Sequence, residues 1–424
     1  LNETGGIIGS DSVEVTGKIN IDGSKAVKAT GARIKDLGKI TIKNGGEINI
    51  EAGNNVNYGI VSEGTSGIRV SNKAASAGAA LTTTNENIFG SVDIENGGSV
   101  NIKGSNSIGY VLLKGNGFND GNITVTDTGN KSLGFYGVSG VFSNTSNGKI
   151  ETTGTNNNAV YLKEDTTKGT LKFTNTGNII ANTEGTVGVY IEKANEFNHD
   201  GGVIKAGNGA AGIYNISDPT SSTVKVKSEI NVTGSTGNRT GIGVYSDGKS
   251  VTTFNTGAKL VLGEGTVGLY SAKNNNFETT FVTNGLKTEI GKKSVLAYFG
   301  STGNQTDDTV NITNSTLANL SIEKMGEKSA LFYGAAGSTV NIADNIMIAG
   351  TASSTIDDSA QVLVTDRGNA NINSGKTLTS KLKTTISGLN GATVTNEGTL
   401  ALTGKDGAVG IYSNASTVKN KKII

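Results

Sequence analysis

The chain has no cysteine, no tryptophan, one proline, two methionines and one histidine in 424 residues. Each scarcity closes a class of explanation. Without cysteine there is no disulfide framework, no thiolate metal site and no thiol nucleophile. That absence is compatible with passage through an oxidising compartment. A histidine-based triad would have to turn on His199, and no Gly-x-Ser-x-Gly or Gly-Asp-Ser-Gly context accompanies it. His199 sits in Asn198-His199-Asp200-Gly201-Gly202, which reads as a solvated turn. Charged residues are 17% of the chain and the formal net charge is +1. Nucleic-acid binding, which needs a clustered basic surface, is not indicated. No apolar run is long enough to span a bilayer as a helix, and the chain opens on no signal peptide. Residue 1 is therefore not expected to be a translation start, and the chain reads as a piece of something longer.

Glycine is abundant, at 62 residues, and the 34% of hydrophobic residues are regularly placed. The placement is organised by a short phrase ending in tyrosine. It reads Thr186-Val187-Gly188-Val189-Tyr190 and Thr266-Val267-Gly268-Leu269-Tyr270. It returns around Tyr214, Tyr245 and Tyr412, and more loosely around Tyr110, Tyr136, Tyr161, Tyr298 and Tyr333. With Tyr58, these phrases hold all 11 tyrosines. A residue used once per unit and nowhere else marks a structural repeat.

Each unit has three apolar stations. In residues 92–112, Val92-Asp93-Ile94 alternates, Asn96-Gly97-Gly98 turns, Val100-Asn101-Ile102 alternates, and Ile108-Gly109-Tyr110-Val111-Leu112 completes the unit. Period-two alternation between Asn/Gly turns predicts short half-buried strands. The first station runs through Val13, Ile40, Ile68, Val92, Phe118, Phe142, Phe173, Phe197, Val226, Phe254, Phe281, Val310, Val340, Ala370 and Val394. The mean step is about 27 residues, the length of one three-stranded coil of a solenoid and too short for a propeller blade. The expected fold is all-β, a parallel β-solenoid of about fifteen coils, continuous over residues 1–424. Longer loops are expected near 71–87, 217–222, 301–308 and 351–358. The only proline, Pro219, lies in one of them, where a sheet tolerates it.

Candidate chemistry is sparse. Asp307-Asp308 and Asp357-Asp358 could serve as the acid pairs of a solenoid glycosidase. Polygalacturonase-like enzymes share the coil length and the fragment Arg33-Ile34-Lys35, but also use a Gly-His-Gly element that is absent. Gly115-Asn116-Gly117-Phe118-Asn119-Asp120 is a single imperfect match to a calcium-binding nonapeptide, where tandem copies are needed. No Gly-Lys-Ser/Thr phosphate loop is present. Neither a cofactor nor a metal is expected. The tyrosines themselves are the remaining candidates. Strict alternation in Val187-Gly188-Val189-Tyr190-Ile191 places the three aliphatic residues inward and Gly188 and Tyr190 outward. Tyr190, Tyr214, Tyr245 and Tyr270 would then form an outward ladder. Its functional reading is an aromatic platform for a sugar or protein partner. Its structural reading is a stacked column that stiffens the sheet.

Gly-Ala-Val-Gly-Ile-Tyr-Ser (407–413), Gly-Thr-Val-Gly-Val-Tyr (185–190) and Gly-Ala-Ala-Gly-Ile-Tyr (209–214), set among Asn-Thr-Gly turns, resemble the passenger domains of large fusobacterial autotransporter adhesins. The resemblance runs from about Val13 to the end of the chain. It implies a right-handed β-helix outside the cell, a signal peptide and a C-terminal outer-membrane β-barrel, with this chain an interior length of the passenger. It further implies a surface protein that attaches to other bacteria or to host-cell proteins or glycans, monomeric in the full-length protein and without catalysis. Two other readings compete with the adhesin: a solenoid polysaccharide hydrolase or lyase, and a purely structural stalk.

Overall fold

The computed structural model describes residues 4–9, 12–22, 29–36, 38–51, 56–64, 66–74, 81–126, 131–234, 240–247, 249–271, 281–300, 309–312, 320–348, 350–404 and 406–422. It is an all-β solenoid, with no helix among the described residues. Contacts divide it into two compact units. One comprises Leu1–Ile179 with Ala194–Glu196, the other Ile180–Lys193 with Phe197–Ile424.

In the first unit, the three stations become three parallel sheets. The first-station sheet runs from Ser12–Val15 through Lys39–Ile42, Ser91–Ile94, Asn116–Asn119 and Gly140–Asn144 to Leu171–Asn175. The second-station sheet runs from Lys18–Asp22 to Lys149–Thr152. The third, the tyrosine sheet, runs from Thr4–Gly9 to Asn158–Lys163. Registers align like with like: Val92 lies between Ile40 and Gly117, and Val100 between Ile48 and Ile123. Inward residues therefore stack in columns, and a modest apolar fraction fills a dry interior.

The expected coil at Ile68 does not exist. Residues Ser66–Ala74 and Leu81–Phe89 form an antiparallel hairpin, and Lys39–Ile42 pairs directly with Ser91–Ile94. The break expected near 71–87 is thus largely paired strand. It is an insertion between two adjacent coils.

In the second unit, the tyrosine sheet runs from Val187–Lys193 to Val409–Asn414. Its inward column passes through Val189, Ile213, Val244, Leu269, Ala297, Phe332, Leu363, Ile386 and Ile411. All are buried except Ile411, which is half-buried on the last strand of the sheet. The other two sheets are interrupted. The first-station sheet ends at Phe281–Thr283 and a new one starts at Thr309–Ile312. The second-station sheet, 12-stranded, ends at Gly350–Ile356, beside a 3-stranded sheet that starts at Ile346–Ile348. Among the described residues the tyrosine sheet counts 15 strands, in line with the expected number of coils, while the longer second-station sheet breaks after 12.

The other long breaks resolve differently. Residues 217–222 form a turn in which Asp218 Oδ1 accepts from the Thr220 amide at 2.8 Å and its hydroxyl at 2.7 Å. Those bonds hold the Asp218 carboxyl below its usual range. Residues 351–356 belong to strand Gly350–Ile356, contrary to the expected loop. Its partner register jumps from Ile322↔Gly350 to Lys324↔Thr355, so the extra residues are absorbed as a bulge within the sheet. Residues 301–308 lie outside the described residues.

Candidate functional site

The tyrosine phrase departs from strict alternation. Val187 is half-buried, Gly188 and Val189 are both buried, Tyr190 is half-buried, and Ile191 is buried. The expected inward Val187 and outward Gly188 are thus exchanged. The cause is a close backbone approach. A Cβ on Gly188 would lie 2.6 Å from the Gly212 carbonyl oxygen and 3.3 Å from the Ile204 side chain. Gly212 meets the Gly243 carbonyl in the same way, at 2.7 Å. Two consecutive residues face the interior at this bend, and the tyrosine still points outward.

Tyr190, Tyr214, Tyr245 and Tyr270 are brought together as the sequence suggests, and Tyr298 and Tyr333 extend the row. Successive ring centroids lie 5.0, 4.2, 5.3, 5.5 and 5.4 Å apart, with planes within 17° of parallel. Each ring covers its neighbour's face, so between them only edges and hydroxyls are open. Face-on stacking by a sugar ring is therefore closed along the row. Tyr270 is nearly buried, whereas Tyr190, Tyr214 and Tyr245 are half-buried. Burial, and next the hydroxyl of Tyr214, pushes the Tyr245 phenol up. Burial and Asp366 raise Tyr333 to about 12, and its hydroxyl donates to Asp366 Oδ2 at 3.2 Å.

The corresponding outward column of the first unit is differently filled. Arg33, Val61, Val111, Tyr136 and Tyr161 occupy it in successive coils. Tyr136 and Tyr161 stand 5.5 Å apart but tilted by 40°. Around Arg33, the outward residues of the tyrosine sheet line a shallow groove of about 160 Å³, whose walls include Tyr58, Val61, Ile108, Val111 and Tyr136. One edge is a two-point ion pair. Arg33 Nε donates to Glu63 Oε2 at 3.1 Å and Nη2 to the same oxygen at 2.8 Å. The groove thus combines aromatic, aliphatic and planar charged groups, the mixture that small ligand sites use. Sequence reading missed it because Arg33 and Glu63 are separated by a whole coil. The available signal was an arginine where other coils carry tyrosine.

The remaining candidates have structural places. His199 is not a solvated turn residue. It ends strand Glu196–His199 and is fully buried, with Nε2 2.9 Å from the Glu229 carbonyl oxygen. A carbonyl can only accept, so Nε2 carries the proton. In the first unit, Asn119, Asn144 and Asn175 hold the same strand-end position and form a buried ladder. Asn119 donates to Asn144 at 2.7 Å and Asn144 to Asn175 at 2.6 Å. Asn119 also donates to the Lys149 carbonyl at 3.3 Å. His199 makes the equivalent bond to the equivalent strand.

Asp357 Oδ1 caps a turn, accepting from the Ser359 amide at 2.8 Å and hydroxyl at 2.6 Å. Asp307 and Asp308 lie outside the described residues. Glu164 is a buried carboxylate whose Oε2 accepts from the amides of Leu171 at 2.7 Å and Asn195 at 2.9 Å. It fastens a loop. Among the described residues, no group of three or more His, Asp and Glu side chains could hold a metal ion.

The chain matches no protein-family model and no curated protein sequence. Among solved structures, a crystal structure of a TibC-catalyzed hyper-glycosylated TibA fragment is similar over 96% of this chain and 100% of that one. The identity is 11% and the TM-score 0.21, and a likeness at that score bears on neither ligand nor activity.

Proposed function

We propose that the chain is a length of the passenger of a bacterial cell-surface adhesin, which attaches the cell to a protein or glycan on host cells or other bacteria. The outward face of the tyrosine sheet is the binding surface. One observation carries this reading: coil after coil, the sheet sets aromatic and aliphatic side chains on its outer face, with Tyr58, Tyr136 and Tyr161 half-buried and Val61 and Val111 nearly covered. Of these first-unit groups, all but Tyr161 line a groove edged by the Arg33–Glu63 pair. Adhesive surfaces favour such rigid amphipathic groups, which give contact area at small entropic cost. The phrases that resemble fusobacterial autotransporter passengers, and the solenoid they build, support the same reading. The outer-membrane barrel would lie outside this sequence, and the passenger would act without catalysis, cofactor or nucleic acid.

The stalk reading keeps one specific observation in its favour. The ladder from Tyr190 to Tyr333 stacks on itself, which stiffens a sheet without any ligand. Binding is therefore assigned to the first unit's groove, and spacing to the ladder. The test is capture of host-cell membrane fractions and glycan arrays by the purified chain. Arg33→Ala with Tyr58→Ala should abolish capture while circular dichroism is unchanged. If an unrelated rod of equal length restores adhesion to cells that lack this segment, the stalk reading replaces the adhesive one.

A further inference from the structure

We propose that Tyr214 and Tyr245 form an oxidative cross-linking site, at which a one-electron oxidant such as a haem peroxidase with hydrogen peroxide joins them into a dityrosine. The product staples one coil to the next. This inference does not depend on the adhesive reading.

The pair is distinguished within the ladder by distance. Its ring centroids are 4.2 Å apart with planes 13° from parallel, whereas the other neighbours stand at 5.0 to 5.5 Å. Backbone register holds the two residues directly opposite each other, Tyr214↔Tyr245, so the rings meet without rearrangement. Both are half-buried, with their edges open to water that can take up a proton. The rest of the chain offers little competition. It has no cysteine and no tryptophan. Met347 is exposed, but a thioether takes peroxide by oxygen transfer to the sulfoxide, a two-electron path.

The chemistry balances. Each phenol gives one electron to the oxidant and its hydroxyl proton to water. The two phenoxyl radicals couple through ring carbons ortho to the oxygens, forming one carbon–carbon bond. Each ortho hydrogen then moves to its own oxygen, and both rings become aromatic again. Two electrons and two protons leave in all, and one hydrogen peroxide takes them up as two waters. In a protein without disulfides, the bond would close a loop of the unfolded chain as a disulfide does.

The test treats the intact chain with peroxidase and hydrogen peroxide and digests it with trypsin. Tyr214 lies in the peptide spanning 206–225 and Tyr245 in that spanning 240–249. The expected product is these two peptides linked, two hydrogens lighter than their sum and more abundant than links between other ladder neighbours. Tyr245→Phe, which keeps the ring and loses the phenol, should remove it with circular dichroism unchanged. Oxidation should raise the thermal midpoint of the parent chain and not of that variant. The proposal falls if links form only between molecules through the exposed Tyr412. It falls equally if the Tyr214–Tyr245 link is no more abundant than its neighbours.

Discussion

The hydroxyl of Tyr110 occupies the place of the side chain that Gly117 lacks. A Cβ on Gly117 would lie 2.3 Å from that oxygen, which instead donates to the Val92 carbonyl at 3.0 Å. Tyr110 is fully buried, and its ring packs against Phe135 and Phe142 at 5.6 and 5.0 Å. Gly117→Val should therefore overfill the core and cost about 1–3 kcal/mol or more. Tyr110→Phe should cost about 1–3 kcal/mol by removing the donor to Val92. In the double variant the two costs should not add, because the phenylalanine frees room at position 117. Urea unfolding of the four proteins measures the coupling, and strict additivity would refute the exchange of space.

The same pair shows what the sequence could and could not disclose. The three-station period and the stacking of like on like were legible because strand alternation and Asn/Gly turns are local signals. Phe118 was expected inward as a first-station anchor, yet it is 44% exposed. The inward position in that strand belongs to Gly117, since a side chain from a different sheet already fills it. That occupancy is a tertiary fact. Tyr110 itself could have been read correctly. In Ser107-Ile108-Gly109-Tyr110-Val111 the tyrosine follows the glycine directly, one place earlier than in Thr186-Val187-Gly188-Val189-Tyr190, and so falls on the inward position. The hairpin at 66–89 hid because its alternation looks like that of any coil strand. The groove beside Arg33 hid because its residues lie one coil apart.

Leu269 tests the inward column of the second unit. It is fully buried between Val244 and Ala297 in the neighbouring strands. Leu269→Asp places a carboxylate where no partner exists and should cost on the order of 3–5 kcal/mol. Leu269→Met, nearly equal in volume, should cost less than about 1.5 kcal/mol. Equal thermal midpoints for the two variants would contradict this register.

His199 should be replaceable by the residue that other coils use at its position. His199→Asn keeps a donor that can reach the Glu229 carbonyl, as Asn119 reaches that of Lys149. It should cost less than about 1 kcal/mol, whereas His199→Leu should cost about 1–3 kcal/mol for the lost buried bond. Chemical denaturation distinguishes them. A large loss with asparagine and none with leucine would show that packing alone matters there.

Alkaline pH should weaken the tyrosine ladder. Burial, the largest cause in each case, raises the phenols of Tyr245, Tyr298 and Tyr333, the last to about 12. An unfolded tyrosine loses its proton near pH ~10. Between those values the folded chain binds more protons than the unfolded one, so stability falls as pH rises. The phenols' contribution should be level below about pH 10 and decline from there to about pH 12. Lysines contribute in the same sense. Carboxylate partners hold Lys43 and Lys259 above their ordinary value, and their pairs are lost when the ammonium deprotonates. The decline alone therefore does not identify the ladder. Tyr298→Phe with Tyr333→Phe leaves those lysines untouched and removes two phenols that resist ionisation. Its urea midpoint should fall less steeply above about pH 10 than that of the parent chain. Parallel curves for the two proteins would mean that the lysines alone set the alkaline limit.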